Sequence, residues 1–415
     1  MSRKRKKKPQ KLLQWRLECL GHSLIEGLAG LLPGRWLFRL GEALGGLVWH
    51  CLPLRRKIIL RNLRIAFAGE KDLAELRRLA KASFRRTGGN LISAAHTARL
   101  APEKLGEVIH IENLELLEQA LAAGKGVVLL LAHMGNWEIL SRLVHLFPKG
   151  ARAGAFYRPL NNRLLDGRIL ARRQADGTRM FSKRDNALQV AGFLREGGIV
   201  GILADQRVGR QGELVRFFGR LTRASPLPSL LARRAKSAVL ALSVTTVEPG
   251  KWRAAFLPVA APPTTANGMV ALEQAMKAGP VDVFWLQERW QVDISKRRTI
   301  RDWLGSETGG AGKPHRALLW LAGAPESWRL PEPWTQADVV YEVALTSGQA
   351  LPSWLPGATR CHEVAQTADR AALQQAIVAM DASAALPLDF ILASWASAAL
   401  VEAGRREAVP VISLP

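Results

Sequence analysis

The strongest constraint on the fold is an alternation, from about residue 108 onward, of short apolar runs with stretches of helical periodicity. Gly124–Ala132, Gly198–Ala204 and Ala238–Val247 are short, apolar and rich in Val, Leu or Ile, which is typical of buried strands. Helix-like stretches, such as residues 161–176 and 227–235, lie between them. This order predicts an α/β fold with a mostly parallel sheet flanked by helices.

Length and charge indicate more than one domain. The chain has 415 residues, more than a typical single domain. From Arg301 to the end, 8 Lys and Arg stand against 12 Asp and Glu, a net charge of −4, whereas the first 300 residues carry +28. Residues 305–314 have the glycine-rich composition of a linker. We therefore expect a basic tail with amphipathic membrane-associated helices at 1–57, an α/β domain at 58–304, that linker, and a smaller α/β domain at 315–415.

Composition excludes several classes of protein. A hydrophobic content of 48% with 23% charged residues rules out global disorder. Three cysteines without zinc spacing give no disulfide framework, which fits a reducing compartment. The net charge of +24 suits nucleic acid, an anionic membrane or an acidic substrate, and charge alone does not choose among them.

The N-terminal region predicts two helices at a membrane surface. Eight basic side chains and no acidic ones occur in residues 1–16. Residues 11–32 and 34–50 are apolar, with polar residues recurring every three or four positions. Glu18 and Glu26 oppose a membrane-crossing helix, because a charge at the bilayer centre costs roughly 2.5–3.5 kcal/mol. We expect both helices to lie on the cytoplasmic face of an inner membrane, peripheral or monotopic; alternatively they pack on the protein's own core.

The candidate catalytic motif is His133–Glu138, with the sequence HMGNWE. It follows a predicted buried strand and opens a predicted helix, the edge where α/β sheets carry their sites. Histidine is the usual general base near neutral pH. A carboxylate at Glu138, five residues on, could bind the other ring nitrogen and stabilise the imidazolium. Alternatively, the segment is a capped helix with an incidental histidine.

An ordered set of further motifs resembles the bacterial lipid A biosynthesis (late) acyltransferases of the lysophospholipid acyltransferase superfamily. The resemblance covers about residues 10–300. Its elements are the N-terminal amphipathic segment, Arg61–Phe67, His133–Glu138, Tyr157–Pro159, Ala204–Gln206, Phe217–Gly219 and Phe284–Trp290. It implies a membrane-associated O-acyltransferase that moves an acyl chain from acyl carrier protein to a hydroxyl of an anionic glycolipid, a lipid A precursor. It also implies no cofactor and no metal, the acyl thioester being a co-substrate.

The resemblance also assigns residue roles. It makes His133 the general base and Glu138 its partner. Arg158 is then the candidate for stabilising the oxyanion or binding a phosphate, or else a surface arginine. Asp205 could orient Arg158 or another cation, or cap a turn. The remaining candidates for substrate contact are Asn136, Tyr157, Gln206 and Arg168, although arginines along a helix are often a solvated face.

Two other interpretations stay open. One keeps the chemistry but takes acyl-CoA as donor, or another glycolipid or lysophospholipid as acceptor. The other is a non-catalytic basic protein that binds a membrane or nucleic acid, which is disfavoured because the sheet segments lack interleaved aromatic and basic residues. Residues 389–415 faintly resemble the closing half of GT-B glycosyltransferases, and we expect a docking or regulatory module without a site of its own.

Overall fold

The computed structural model describes residues 8–67, 69–182, 185, 187–209, 211–287, 289–290, 315–337, 339–355, 360–365, 369–384, 386–407 and 409–414. The chain divides into two compact units that do not follow its linear order. Unit 1 contains residues 1–56, 78–206 and 225–286, and unit 2 contains residues 57–77, 207–224 and 287–415.

The helices of the described chain are α1 Lys8–Leu31, α2 Gly34–Cys51, α3 Pro53–Ala66, α4 Leu73–Thr97, α5 Leu105–Val108, α6 Leu114–Ala122, α7 Arg163–Gln174, α8 Ala187–Arg195, α9 Leu227–Ala235, α10 Thr265–Ala278, α11 Arg370–Ala382 and α12 Ala398–Arg406. Short 3-10 helices span Pro102–Lys104, Trp137–Leu146 and Glu332–Trp334.

The strands are β1 Ile109–Glu112, β2 Val127–Leu131, β3 Ala153–Phe156, β4 Arg179–Phe181, β5 Ile199–Leu203, β6 Glu213–Phe217, β7 Arg220–Ala224, β8 Ala238–Glu248, β9 Lys251–Pro258, β10 His315–Trp320, β11 Val339–Leu345, β12 Arg360–Glu363, β13 Phe390–Ala393 and β14 Val411–Ser413.

Unit 1 is built on a seven-stranded sheet in the order β1-β9-β8-β2-β5-β3-β4. Every neighbouring pair is parallel except β8 and β9, which are antiparallel. All five residues of the central strand β2 are buried. A strand that is buried on both faces reads as a continuous apolar run, and VVLLL has that pattern.

In unit 1, helices α2 and α4 cross at glycines. A Cβ built on Gly41 would lie 2.4 Å from the carbonyl oxygen of Gly88, so the two backbones touch where neither helix has a side chain. Leu37 and Phe38, which lie on α2 beside Gly41, are also buried. The glycines of α2 and α4 therefore allow close packing rather than ending a helix.

Unit 2 is built on a five-stranded parallel sheet in the order β12-β11-β10-β13-β14. Buried residues cover both faces of this sheet. Residues 57–66 of helix α3 and the antiparallel hairpin β6–β7 belong to the same unit, although they precede the sheet in the sequence.

The predicted α/β class, with sheets dominated by parallel strands, is confirmed. The sequence pattern predicts separate helices at Lys71–Arg86 and Asn90–Leu100. This prediction is wrong, and α4 runs through Gly88 and Gly89 without a break. The hairpin β6–β7 was not predicted, because its turn uses Phe218 at φ +53° instead of the usual Asn-Gly or Asp-Gly pair. The predicted linker at 305–314 lies outside the described residues.

Within the part of the chain that the structure describes, no helix combines the length and the apolar character needed to cross a membrane.

Candidate active site

The register of the unit 1 sheet brings His133 and Asp205 together. Strands β2 and β5 are parallel neighbours, with Leu131 opposite Leu203. His133 follows β2 by two residues, and Asp205 follows β5 by two residues. Continuing the same register past the carboxyl ends of the strands places the two side chains opposite each other. This edge is where open α/β sheets place their ligand sites.

The His133 imidazole is bound at both nitrogens. Its Nδ1 lies 2.6 Å from Asp205 Oδ1, and its Nε2 lies 3.2 Å from the side-chain nitrogen of Gln206. The side-chain nitrogen of Gln206 only donates, so Nε2 accepts from Gln206 and Nδ1–H donates to Asp205. The Asp205 side chain is fully buried and the imidazole is 13% exposed. Asp205 therefore fixes the ring with its basic nitrogen directed to the accessible side.

The chain after His133 is held by a segment from another part of the sequence. The Phe284 amide donates to the His133 carbonyl at 2.8 Å, and the Gly135 amide donates to the Asp282 carbonyl at 2.9 Å. Gly135 has a φ of +56°, and a Cβ there would lie 2.5 Å from the Val244 carbonyl oxygen. Only glycine fits this turn, which sets the direction of the imidazole.

Glu138 does not contact the imidazole, so the expected Glu138–His133 hydrogen bond is wrong. Its carboxylate forms two hydrogen bonds with Arg173 of α7, at 2.7 and 3.1 Å. The structure places Asp205 on Nδ1 instead, where sequence spacing had suggested Glu138. Sequence analysis missed Arg173 as a partner because it lies 35 residues downstream.

Asp205 binds His133, a contact that the sequence analysis does not predict. Arg158 is exposed, and Tyr157 is half-buried with its amide bonded to the Phe181 carbonyl. Asn136 is buried and donates to Thr97 Oγ1 at 3.0 Å, so it supports the turn from inside. The structure brings together His133, Asp205 and Gln206, and leaves the other predicted residues apart from that contact.

Arg168 lies on α7 and is exposed, and it donates to Ser23 Oγ of α1 at 3.0 Å. Its neighbour Arg172 pairs with Glu26, also on α1. Helix α7 therefore presents arginines to α1 as well as to Glu138.

A buried arginine anchors the 3-10 helix that follows the histidine. Arg142 pairs with Asp176 at 2.7 Å and donates to the Thr97 and Leu100 carbonyls at 2.7 Å each. Burial raises the pKa of Asp176, but the hydrogen bonds from Arg142 and His145 lower it by more. The pKa of Asp176 therefore lies below its usual value. Asp176 therefore stays ionised and pairs with Arg142, which connects the 3-10 helix to Thr97 at the end of α4.

An apolar cavity opens beside this helix. It encloses about 730 Å³, including its open mouth. Its walls are side chains of β2, β3 and β5 together with Trp137, Leu140 and Leu143. Trp137 also meets the His133 ring edge-on, with ring centroids 5.6 Å apart. The Glu138–Arg173 pair contributes charged groups to a lining that is otherwise mainly apolar.

No group of three or more His, Cys, Asp or Glu side chains among the described residues is arranged to hold a metal ion.

A histidine oriented by a buried carboxylate, next to an apolar cavity, is typical of enzymes that activate a hydroxyl for acyl transfer. Comparison with known families agrees with this class. A family described as "Bacterial lipid A biosynthesis acyltransferase" matches residues 3–292. The chain belongs to this family, so it is an acyltransferase with a lipid acceptor.

Individual relatives are similar at low identity. The chain is 24% identical to the lipid A biosynthesis palmitoleoyltransferase of Escherichia coli K12 over 270 residues, 63% of this chain and 86% of that protein. It is 28% identical to the phosphatidylinositol mannoside acyltransferase of Mycobacterium tuberculosis H37Rv over 200 residues, 45% of this chain and 62% of that protein. A lipid A biosynthesis acyltransferase of Haemophilus influenzae is 28% identical over 139 residues, 33% of this chain and 42% of that protein.

Proposed function

We propose that the protein transfers a fatty acyl chain from the thioester of acyl carrier protein to a hydroxyl of a lipid A precursor at the cytoplasmic face of the inner membrane. The observation that carries the proposal is the His133–Asp205 pair beside the apolar cavity. Family membership supports the acyl chemistry and a lipid acceptor.

His133 is the proposed general base. Its Nε2 takes the proton from the acceptor hydroxyl, while Asp205 stabilises the imidazolium that forms. The oxygen attacks the thioester carbonyl, the carbon–sulfur bond breaks, and the departing thiolate takes the proton from Nε2. An ester and a free thiol result, and the imidazole is neutral again. The Gln206 carboxamide now occupies Nε2, so the acceptor hydroxyl must displace it.

The apolar cavity is the proposed site for the acyl chain. Its lining from β2, β3 and β5 offers no charge to a hydrocarbon tail, and burying each methylene stabilises the complex by about 0.8 kcal/mol. The Glu138–Arg173 pair marks the polar side of the cavity. We therefore expect the thioester to lie near this pair, with the chain extending along the strands.

Helices α1 and α2 are the proposed membrane contact. On α1, Leu13, Leu17, Leu20 and Leu24 are each about 60% exposed and recur at helical spacing. The opposite side of α1 is engaged by α7, where Asn162 donates to the Glu18 carboxylate at 2.8 Å. Since α7 occupies the polar side, the leucines face outward, ready to enter an interface.

A second candidate acceptor is a phosphatidylinositol mannoside. The observation that favours it is the 28% identity, over 200 residues, to the Mycobacterium tuberculosis enzyme named for that substrate. Acyl-CoA as donor belongs to the same alternative. Both keep the proposed role of His133.

The experiment is a matrix of two labelled donors and two acceptors. Purified protein is incubated with acyl carrier protein or CoA carrying the same labelled chain, and with a lipid A precursor or a phosphatidylinositol mannoside in vesicles. Mass spectrometry then locates the new ester. We expect acyl carrier protein with the lipid A precursor to give the fastest transfer. Faster transfer to the mannoside would favour the second candidate, and no transfer in any combination would contradict the proposal.

A further inference from the structure

The turn that carries the imidazole is paired with a short segment late in unit 1. Met134 and Val283 form an isolated antiparallel bridge. On either side of this bridge one backbone hydrogen bond joins the two segments, at 2.8 and 2.9 Å. We call residues 279–285 the backing segment. Because the backing segment is bonded to the turn on both sides of the bridge, its position sets the position of the turn.

The carboxylate of Asp282 binds the backing segment to the sheet and to α4. Its Oδ2 accepts from the Thr246 amide at 2.9 Å, and its Oδ1 accepts from the Thr246 hydroxyl at 2.5 Å. Oδ1 also accepts from the Asn90 side chain at 3.2 Å and lies 3.5 Å from an Arg86 nitrogen. Thr246 belongs to β8, and the other two belong to α4. Asp282 is 4% exposed, so it is buried and held by two elements of the same unit.

The partners of Asp282 are themselves held in place. Asn90 Oδ1 accepts from Trp252 Nε1 of β9 at 2.8 Å, which directs the Asn90 amide nitrogen towards Asp282. Arg86 donates to Glu42 of α2 at 3.0 Å. The donors around the carboxylate are therefore in position without depending on Asp282 alone.

The backing segment also reaches the imidazole through aromatic rings. Phe284 and Trp137 have ring centroids 5.6 Å apart, and Trp137 lies edge-on to His133 at the same distance. Trp285 closes the segment on itself, because its Nε1 donates to the Pro280 carbonyl at 2.8 Å. A displacement of the backing segment therefore moves both the backbone of the histidine and the ring packed beside it.

We propose that Asp282 is a positioning residue for acyl transfer. Through the backing segment it holds the His133 turn, so that Nδ1 stays on Asp205 while Nε2 points to the acceptor. Asp282 itself touches no reacting atom. The role in turnover rests on the proposed function, since it takes His133 as the base, whereas the placement of the imidazole can be measured without any transfer.

The geometry around Asp282 makes an isosteric amide a sharp probe. Oδ2 faces the Thr246 amide and Oδ1 faces the Asn90 amide nitrogen, and both of these groups donate. In Asp282→Asn the new amide nitrogen would meet a donor in either orientation. The backing segment must then shift, and a displacement of about 1 Å at a catalytic group costs on the order of 100-fold in rate.

The first experiment observes the imidazole directly. In full-length protein with isotopically labelled histidine, NMR detects the Nδ1 proton that His133 donates to Asp205, and its absence in His133→Gln assigns the signal. We expect Asp282→Asn to shift or remove this signal. Glu248→Gln, which changes an exposed carboxylate at the end of β8, is the matched control and should leave it unchanged. An unchanged signal in Asp282→Asn would overturn the positioning role.

The second experiment measures turnover of the same variants. We expect Asp282→Asn to lower kcat roughly 10- to 100-fold with little change in the acceptor KM, because a misplaced base loses turnover rather than binding. An unchanged kcat, or a loss confined to KM, would overturn the role. A parent protein without transfer would contradict the proposed function instead, and the NMR signal alone would then decide whether Asp282 places the ring.

A second pair of variants keeps the test valid should Asp282→Asn fail to fold. Thr246→Val removes the hydroxyl that binds Asp282, whereas Thr246→Ser keeps it. We expect Thr246→Val to shift the Nδ1 signal and to lower kcat roughly 5-fold, as the loss of one hydrogen bond allows. Thr246→Ser should behave as the parent does. Equal signals and equal turnover in the two variants would overturn the positioning role.

Discussion

At the scale of single residues, the location of the site could be predicted and its partners could not. His133 follows a short apolar run that is typical of a buried strand, so the sequence predicts that it lies at a sheet edge. Asp205 is 72 residues away, and only the pairing of β2 with β5 brings it opposite the histidine. Glu138 has the right spacing to reach the ring, but Arg173 competes for the same carboxylate. Spacing limits what a side chain can reach and does not select its partner.

The Glu138–Arg173 pair allows a test at this scale. We expect Glu138→Gln to lower turnover, and Arg173→Gln to add little further loss in the double variant, because Glu138 acts through Arg173. The measurement is kcat and KM for the two single variants and their combination.

The control cycle pairs Glu138→Gln with Asp205→Asn. In the parent protein the Asp205 carboxylate binds His133 and not Arg173. In that cycle the losses should multiply. The opposite result would be a loss of turnover in Glu138→Gln that multiplies with the loss in Arg173→Gln but not with the loss in Asp205→Asn. That result would support the direct role at His133 that the sequence predicts for Glu138.

At the scale of helices and strands, periodicity predicted most elements, and it failed where tertiary contact overrides local preference. Gly88 and Gly89 suggested the end of a helix, yet α4 continues because these glycines meet Gly41 on α2. Glycine is unfavourable in a helix interior, but here a close crossing requires it. The hairpin β6–β7 was missed because Phe218 adopts a positive φ, which its sequence does not signal.

The helix crossing predicts opposite effects at two glycines of α2. Gly41→Ala should lower the free energy of unfolding by roughly 1–3 kcal/mol, because its Cβ would meet backbone of α4 at 2.4 Å. Gly46→Ala, where the nearest atoms are 3.7 Å away, should be neutral or stabilising by up to about 1 kcal/mol. Chemical denaturation of both variants measures the difference. Equal effects would show that the crossing is not tight.

The exposed leucines of α1 predict membrane affinity. Replacing Leu17, Leu20 and Leu24 with Gln should weaken binding to anionic vesicles about 100-fold, at roughly 1 kcal/mol for each partly inserted leucine. Sedimentation with vesicles is the measurement. Leu351→Gln, at an exposed leucine of unit 2, is the control and should bind as the parent does. Undiminished binding by the triple variant would place the membrane contact elsewhere.

At the scale of the whole molecule, charge asymmetry predicted two parts with different character but not how the chain divides. Residues 57–66 of α3 and the hairpin group with residues beyond 287, because Arg61 and Arg220 find their carboxylates there. These contacts join residues 169 to 320 positions apart. Composition can indicate that such a part exists, but pairing over that distance leaves no local pattern in the sequence.

The buried aspartates predict acid sensitivity. Burial raises the pKa of Asp381, but the positive charges of Arg61, Arg64 and Arg220 lower it by more. The pKa of Asp381 therefore lies below its usual value. A depressed carboxyl pKa stabilises the fold above the unfolded pKa of about 3.9, and this stabilisation is lost as the pH falls through the folded pKa. The free energy of unfolding should therefore fall steeply below about pH 4.

Asp381→Asn tests this assignment. At pH 7 it should cost about 3–5 kcal/mol, as expected when one partner of a buried ion pair is removed. Its stability should also change less with pH below 4 than that of the parent protein. Exposed Glu363→Gln is the control, measured by denaturation at several pH values. A parallel pH dependence for parent and Asp381→Asn would exclude Asp381 as the source.

The most direct test of the central claim, that His133 removes the hydroxyl proton, is turnover of His133→Gln and Asp205→Asn beside His110→Gln, an exposed histidine on β1. With a labelled acyl thioester, His133→Gln should lose roughly 10²- to 10⁴-fold in kcat while its Tm stays near that of the parent. Asp205→Asn should lose at least about 10-fold, and His110→Gln should keep full activity. A folded His133→Gln protein that transfers the acyl chain at the parental rate would contradict the account.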